Sequence, residues 1–176
     1  MKSKLILVGG GGHCVACIDV IESSSCFNVS GIIDIPEKVG SSLLNYKIMG
    51  SDADIPSFIS KDNNVFLITV GQIKTAALRQ RLFALVTKAG GTFPVVIAST
   101  AHVSSHALVG KGTIVMHQAM VNAGAKIGIN CIINSGALIE HNAIVGDHCH
   151  ISTRAVLNGL ARVGNGCFIG SGSIIA

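Results

Sequence analysis

Three histidines and a glutamate interrupt an otherwise aliphatic segment, "LIEHNAIVGDHCHIS", at residues 138–152. An imidazole changes its charge near neutral pH, so it can take a proton from a nucleophile, and its ring nitrogens can also bind zinc. His141, His148 and His150 are therefore candidates for proton transfer and for metal binding.

A second candidate site lies near the N-terminus, where "KLILVGGGGHCVACIDVIE" predicts a strand, a glycine turn and a helix. Backbone N–H groups at the start of a helix favour a phosphate. The turn resembles the dinucleotide fingerprint, but Cys14 occupies the place of the third glycine. Asp34, which ends a second predicted strand, "FNVSGIID", is placed to hold a ribose or sugar hydroxyl. A glycine turn without a ligand is the alternative.

The cysteines are expected to pack rather than to bind metal. Cys131, Cys149 and Cys167 are eighteen residues apart, and Cys14 and Cys17 form a CxxC motif without a second pair. Six cysteines in a chain without a secretion signal are expected to remain thiols.

The elements that must position these residues follow from an internal repeat. From Val103 to Ile175 every sixth residue is a branched aliphatic, and a small residue stands four positions after each of the first twelve. Gly110, Gly128, Gly146 and Gly164 add a period of eighteen. This pattern predicts a left-handed parallel β-helix of triangular cross-section, with three hexapeptides in each coil and four coils over residues 103–174.

The residues before the repeat alternate between predicted strands and helices. "NVFLITVG" and "TFPVVI" supply two further strands, with a helix from about Lys74 to Ala89 between them. We therefore predict two domains, a small Rossmann-like α/β domain over residues 1–97 and a β-helix domain over residues 98–176.

Composition narrows the possible partners. Of the residues, 49% are hydrophobic and 12% charged, and the net charge of +4 includes no dense basic block, so nucleic acid and membranes are not expected partners. The aliphatic run Leu5–Val8 is too short for a signal peptide or a membrane span, so the cytoplasm is the expected compartment.

The combination of "GGGGH" in an α/β domain with "IEHNAIVGDHCHISTRAVLNG" in a β-helix resembles the bacterial family of sialic acid O-acetyltransferases and UDP-4-amino-sugar N-acetyltransferases. The resemblance implies an acetyl-CoA-dependent acetyltransferase for surface polysaccharides that uses no metal. It also implies a homotrimer with acetyl-CoA in the groove between neighbouring β-helices. The segments "ISTRAVLNG" and "ALIEHN" are slightly closer to the sialic acid branch, and O- and N-transfer both remain open.

The resemblance also implies a role for individual residues. His141 matches the general base, His150 a contact to acetyl-CoA, and Gly159 a glycine whose N–H faces the acetyl carbonyl. Asn134 matches an asparagine lining that site. The positions that approach the activated sugar are Gly11, Gly12, His13 and Asp34.

The coil period supports part of this assignment, since Gly159 follows His141 by eighteen residues and should lie beside it on the next coil. His141 is expected near a corner with its side chain outward, and His150 at a different corner, serving the same site across a subunit boundary. Asn142 stands where many members carry a glutamate that raises the basicity of the histidine. Glu140 is not expected to substitute, because adjacent strand residues point to opposite sides.

Two other functions compete with acetyl transfer. The chain ends at "GSGSIIA", where relatives continue for a few more coils, which raises the alternative of a truncated, non-catalytic protein that binds a sugar nucleotide. A γ-carbonic anhydrase, also a trimeric β-helix, would bind zinc through three histidines such as His141, His148 and His150. The glycine turn has no purpose in that enzyme.

Overall fold

The structure, a computed structural model, describes residues 2–59 and 64–176. It contains two compact units, the first formed by residues 1–71 and 77–94 and the second by Gln72–Ala76 and Val95–Ala176. Relative to the domains predicted from the sequence, the second unit also includes Gln72–Ala76 and the residues from Val95 to Ile97.

The first unit is a five-stranded sheet with helices. Its strands are β1 (Ser3–Val8), β2 (Phe27–Ile33), β3 (Ser42–Leu43), β4 (Tyr46–Gly50) and β5 (Val65–Ile68), and its helices are α1 (Gly12–Ser24), α2 (Ile55–Ile59) and α3 (Ala77–Lys88). Short 3₁₀ turns occur at Pro36–Lys38 and Asp52–Asp54. The strand order is β3-β4-β2-β1-β5, all parallel except for the antiparallel pair of β3 and β4. Within the described ranges, no helix is both long enough and apolar enough to cross a bilayer.

The apolar pattern of the first unit explains its layers. The run Leu5–Val8 is fully buried, as expected for a parallel strand covered on both faces. Helix α1 buries Cys14, Cys17, Ile18 and Ile21, which recur at the spacing of one helix face. Because parallel strands end at the same edge, the glycine turn after β1 and Asp34 after β2 share the carboxyl edge of the sheet.

Burial accounts for the CxxC motif. It raises the pKa of the Cys14 thiol to about 11 and raises the pKa of the Cys17 thiol further, so both remain neutral at physiological pH. The predicted packing role of this pair is confirmed.

The second unit is the β-helix. It consists of fourteen two-residue strands, β6 to β19, at Val96–Ile97, His102–Val103, Leu108–Val109, Ile114–Val115, Met120–Val121, Lys126–Ile127, Ile132–Ile133, Leu138–Ile139, Ile144–Val145, His150–Ile151, Val156–Leu157, Arg162–Val163, Phe168–Ile169 and Ile174–Ile175. They form three parallel sheets, in the orders β19-β16-β13-β10-β7, β17-β14-β11-β8 and β18-β15-β12-β9-β6.

The register of these sheets reproduces the period of eighteen. Leu138 pairs with Val156, and Ile144 pairs with Arg162. The second residue of each strand belongs to the interior cluster, so the first residue faces outward. Every coil therefore presents the same positions at the same corners.

The cysteine column lies in this interior, as predicted. Cys131 and Cys149 are fully buried, and their thiols donate to the carbonyl oxygens of Gly146 (3.1 Å) and Gly164 (2.9 Å). Cys167, one coil further, is partly buried against the same cluster. All six cysteines of the chain are free thiols.

One strand predicted for the α/β sheet belongs to the β-helix instead. In "TFPVVI" the strand is β6, and Ile97 pairs with Val115 in β9. Ile97 stands six residues before Val103, so it extends the aliphatic column by one position and packs against the interior cluster. The assignment of this strand to the first domain was therefore wrong.

Candidate active site

His141 lies at an exposed corner of the β-helix, two residues after the end of β13. Its ring extends toward the next coil and lies over Gly159, where an added Cβ would be 2.7 Å from Nε2 and 2.8 Å from Cε1 of His141. Contacts this short are repulsive, so only glycine allows the imidazole to occupy this position. The expected proximity of His141 and Gly159 is thus present in the structure.

Asn142 orients the other side of the imidazole. Its φ of 59° is left-handed, a conformation that asparagine tolerates better than most residues, and its Nδ2 lies 3.3 Å from Nδ1 of His141. If the Asn142 amide is rotated by about 180°, its Oδ1 faces Nδ1 of His141 and can accept a hydrogen bond from an N–H there. In this tautomer the free lone pair of the imidazole is on Nε2. A base at Nε2 requires this second arrangement.

Glu140 directs its carboxylate away from the imidazole. Its Oε2 accepts hydrogen bonds from Nδ2 of Asn122 (2.9 Å), one coil earlier, and from the backbone N–H of His141 (3.3 Å). The imidazole, by contrast, extends one coil later, toward Gly159. Glu140 therefore fixes the backbone at the start of the corner, in agreement with the expectation that it does not replace the missing glutamate.

His150 occupies a buried strand position rather than the corner expected from the sequence. It is the first residue of β15 and only 7% exposed. Its Nδ1 lies 2.6 Å from the carbonyl oxygen of Gln72, and because a carbonyl only accepts, Nδ1 carries the proton. Nε2 then accepts from Nδ2 of Asn134 at 3.1 Å.

His150 thus connects Asn134 to Gln72, a residue that the sequence did not associate with the site. Gln72 also donates through Nε2 to the carbonyl oxygens of Gly166 and Cys167, both at 3.3 Å. Asn134, whose Oδ1 accepts from the N–H of Ser135 at 2.8 Å, lies at the corner before β13, whereas His141 lies at the corner after it. No sequence signal marked Gln72, because its partners are mainly backbone carbonyls.

The first unit gathers its candidate residues at the carboxyl edge of the sheet. Gly11 caps α1 and Gly12 begins it, and an added Cβ at either position would meet nothing within 4 Å. His13 lies in the first turn of the helix, with its Cβ against Gly71. The open approach to the helix N-terminus suits a phosphate, because the first N–H groups of a helix have no partner within it.

Asp34 holds the glycine turn in place. Its Oδ2 accepts from the N–H of Gly10 (3.1 Å) and from Nζ of Lys38 (2.7 Å), and Oδ1 accepts from the N–H of Ile35 (2.9 Å). Burial raises the pKa of this carboxyl, but the hydrogen bonds from Lys38, Ile35 and Gly10 outweigh burial and hold the pKa below its usual range. A cavity of about 60 Å³ opens beside Asp34, between Ile35, Leu78 and Arg81.

Metal ligation finds no support in one copy of the chain. Over residues 2–59 and 64–176, no three His, Cys, Asp or Glu side chains are grouped so that they could hold an ion. Nδ1 of His148 lies 2.9 Å from Nδ2 of Asn130, and Nδ1 of His150 faces Gln72. His148 and His150, two of the three histidines proposed as zinc ligands, thus face different partners rather than one common ion site.

Comparison with known proteins finds relatives of both units. The family described as the PglD N-terminal domain matches residues 4–85. The acetyltransferase domain of PglB from Neisseria gonorrhoeae, solved in complex with acetyl coenzyme A, is 25% identical with a TM-score of 0.88, over 99% of this chain and 82% of that one. The search of curated proteins gave no match.

Two further solved structures share the fold. A histidine variant of perosamine N-acetyltransferase from Caulobacter crescentus, in complex with CoA and GDP-perosamine, is 25% identical with a TM-score of 0.79, over 100% of this chain and 90% of that one. WeeI from Acinetobacter baumannii has a TM-score of 0.70 at 17% identity, over 98% of this chain and 94% of that one. The chain therefore shares its architecture, a PglD-type N-terminal domain followed by a left-handed β-helix, with hexapeptide-repeat sugar acetyltransferases.

Proposed function

We propose that this acetyltransferase transfers the acetyl group of acetyl-CoA to an amine of a nucleotide-activated amino sugar destined for bacterial surface glycans, with His141 as the general base. The observation that carries the proposal is the position of the His141 imidazole, exposed at a corner with Nε2 over Gly159. A general base must come within hydrogen-bond distance of its proton donor, and an exposed corner allows this.

The proposed reaction is a single acyl transfer. The acceptor nitrogen attacks the thioester carbonyl carbon of acetyl-CoA, a C–N bond forms and the C–S bond breaks. The proton lost by the acceptor nitrogen goes to Nε2 of His141 and then to the departing thiolate of CoA. Asn142 accepts a hydrogen bond from Nδ1–H, which keeps the lone pair on Nε2 and supports the imidazolium once it forms.

Other residues of the second unit are proposed to hold the acetyl-CoA. The N–H of Gly159 is placed beside His141 and suits the oxygen of the thioester carbonyl, on which negative charge develops. Asn134 lines the site, and His150 holds the Asn134 amide through Nε2. The PglB domain and the perosamine enzyme, which were solved with acetyl coenzyme A and with CoA, favour this donor.

The first unit is proposed to bind the nucleotide part of the acceptor. Backbone N–H groups around Gly11, Gly12 and His13 suit a phosphate at the start of α1. Asp34 orients this turn, and the ammonium of Lys38 beside it offers a further donor to ribose or phosphate oxygens. The GDP-perosamine in the related structure favours an amino sugar over a sialic acid.

The enzyme is further proposed to act as a homotrimer in the cytoplasm and without a metal ion. Outward positions of one sheet of the β-helix are apolar at Met120, Leu138, Val156 and Ile174, which gives copies of the chain a surface to bury. Six free thiols suit a reducing compartment. Proton transfer by His141 and hydrogen bonding by Gly159 supply the chemistry without a Lewis acid.

The test measures the release of CoA thiol when the enzyme is incubated with acetyl-CoA and one acceptor at a time. The acceptors are UDP-linked amino sugars, GDP-linked amino sugars and sialic acids. We expect an amino sugar to be the best acceptor, with one acetyl group gained for each thiol released, as measured by mass spectrometry. Thiol release without an acetylated product contradicts the proposal, as does activity that requires one zinc ion per subunit. A sialic acid hydroxyl as the best acceptor overturns the choice of an amine.

A further inference from the structure

Gln72 is a buried glutamine whose side chain binds two backbone carbonyls. It is only 2% exposed, and its Nε2 donates to the carbonyl oxygens of Gly166 and Cys167, each at 3.3 Å. These two acceptors fix the orientation of the amide, because its oxygen could not face them. No donor among the described residues reaches Oε1 within hydrogen-bond distance. A buried acceptor without a donor costs free energy, so packing alone would favour an apolar residue at this position.

The anchored residue presents its backbone carbonyl to His150. The oxygen of Gln72 lies 2.6 Å from Nδ1 of the imidazole and accepts a hydrogen bond from it. The ring of Phe168, one coil later, packs against the same imidazole, with the ring centroids 5.1 Å apart and the planes at 62°. Phe168 restricts the orientation of the imidazole, but its side chain has no acceptor for a proton. The protonated nitrogen is therefore set by the carbonyl of Gln72.

The tautomer of His150 decides how the amide of Asn134 is held. With the proton on Nδ1, Nε2 is an acceptor and binds Nδ2 of Asn134 at 3.1 Å. Oδ1 of Asn134 accepts from the N–H of Ser135 at 2.8 Å, so both ends of the amide have a partner. With the proton on Nε2, two donors would face each other, and the amide would have to turn and lose its bond to Ser135. The tautomer thus determines which atoms Asn134 offers to a ligand.

We propose that Gln72 is a positioning residue for acetyl-CoA: its side chain anchors the carbonyl that keeps His150 protonated at Nδ1, and His150 in turn orients the Asn134 amide. This inference rests on the proposed function, in which His150 and Asn134 belong to the acetyl-CoA site. Gln72 acts through these two residues and needs no contact with the reacting atoms. Loss of its side chain should therefore weaken binding of acetyl-CoA more than turnover.

The experiment compares the wild-type chain with Gln72→Met, which keeps the length of the side chain but removes the donor. NMR of histidine labelled in the ring nitrogens distinguishes a protonated from an unprotonated nitrogen, and a His150→Gln sample assigns the His150 signals. We expect the proton on Nδ1 in the wild-type chain and a shift of population toward Nε2 in Gln72→Met. Calorimetric titration should show an affinity for acetyl-CoA lower by roughly 3- to 10-fold, the equivalent of one hydrogen bond.

Gln80→Met is the matched control, because Gln80 is exposed on α3. It should leave both the tautomer and the affinity unchanged. Gln72→Asn, which keeps an amide on a shorter side chain, should give values between those of the wild-type chain and Gln72→Met. The inference is overturned, while the proposed function stands, by a wild-type proton on Nε2 or by a Gln72→Met variant in which either the tautomer or the affinity is unchanged. A wild-type chain that does not bind acetyl-CoA overturns the proposed function itself.

Discussion

At the scale of single residues, the proposed base is oriented from both sides. Gly159 leaves room for the imidazole because it has no side chain, and Asn142 contacts Nδ1 on the far side. Asn142 carries no charge, so it can orient the ring but adds no ionic stabilisation of an imidazolium.

Removal of the imidazole tests the base directly. His141→Ala should lower kcat by about 10²- to 10⁴-fold, the usual contribution of a general base, and should change binding of acetyl-CoA little. The fold should persist because the side chain is exposed. Steady-state kinetics with the best acceptor, together with calorimetric titration of acetyl-CoA, measure both effects. A variant with near-normal kcat would refute the assignment of the base.

A charge at position 142 should change the pH profile. In Asn142→Glu, a carboxylate beside His141 would stabilise the imidazolium, so the base would lose its proton at higher pH. The rise of kcat/KM with pH should therefore move upward relative to the wild-type chain. Asn142→Gln, which has the same length without the charge, is the control and should not produce this shift. Equal profiles for the two variants would show that residue 142 does not act on the base through charge.

At the scale of elements, the coil of eighteen residues aligns Gly159 with His141, and hydrogen bonds fix the surrounding loops. The contact of His150 with Gln72 joins the segment Gln72–Ala76 to the β-helix, although Gln72 and His150 are 78 positions apart in the sequence. In the first unit, Asp34 joins the end of β2 to the glycine turn after β1. The site residues thus depend on contacts that are distant in sequence.

An alanine at position 159 tests the alignment of neighbouring coils. The added methyl group of Gly159→Ala would collide with Nε2 of His141 and displace the imidazole, so kcat should fall by roughly 10²-fold, the usual effect of a misplacement near 1 Å. Gly164→Ala is the matched control, because an added Cβ there meets nothing within 4 Å. It should retain activity, and both variants should unfold within about 1 kcal/mol of the wild-type chain. Equal kcat for the two alanine variants would contradict the role of Gly159.

The sequence predicted the β-helix in detail because a repeat encodes its own contacts. The register of eighteen residues placed Gly159 beside His141, and the structure shows the two residues in contact. The repeat also places His150 in a strand, because it directly precedes Ile151 of the aliphatic column, but the burial of its side chain was not predictable in the same way. Its side chain is buried against the carbonyl of Gln72, and a backbone acceptor leaves no mark in a side-chain pattern. Backbone donors leave no mark either, so the hydrogen bonds that Asp34 accepts from the N–H groups of Gly10 and Ile35 were not foreseen.

At the scale of the whole molecule, the outward apolar residues of one sheet predict self-association. Met120 is 43% exposed and Ile174 is 68% exposed on the same sheet, and a stable interface buries roughly 1,200–2,000 Å² of such surface. We expect sedimentation velocity at micromolar concentration to show a trimer. Met120→Lys should weaken the association by placing a charge in the interface, whereas Lys126→Glu, on a different sheet, should not. A stable wild-type monomer would contradict the trimer.

The two periods of the β-helix restrict how a gene of this kind can change in length. Aliphatic residues recur every six positions, so loss or gain of one hexapeptide would preserve the interior column. The chain beyond the change would, however, turn by one third of a coil, and Gly159 would move to a different corner from His141. Between these two residues the fold tolerates steps of six, whereas the proposed site tolerates only steps of eighteen that keep a glycine next to the histidine. Of the insertions and deletions that preserve the interior column, only one length in three therefore also keeps a residue aligned with His141.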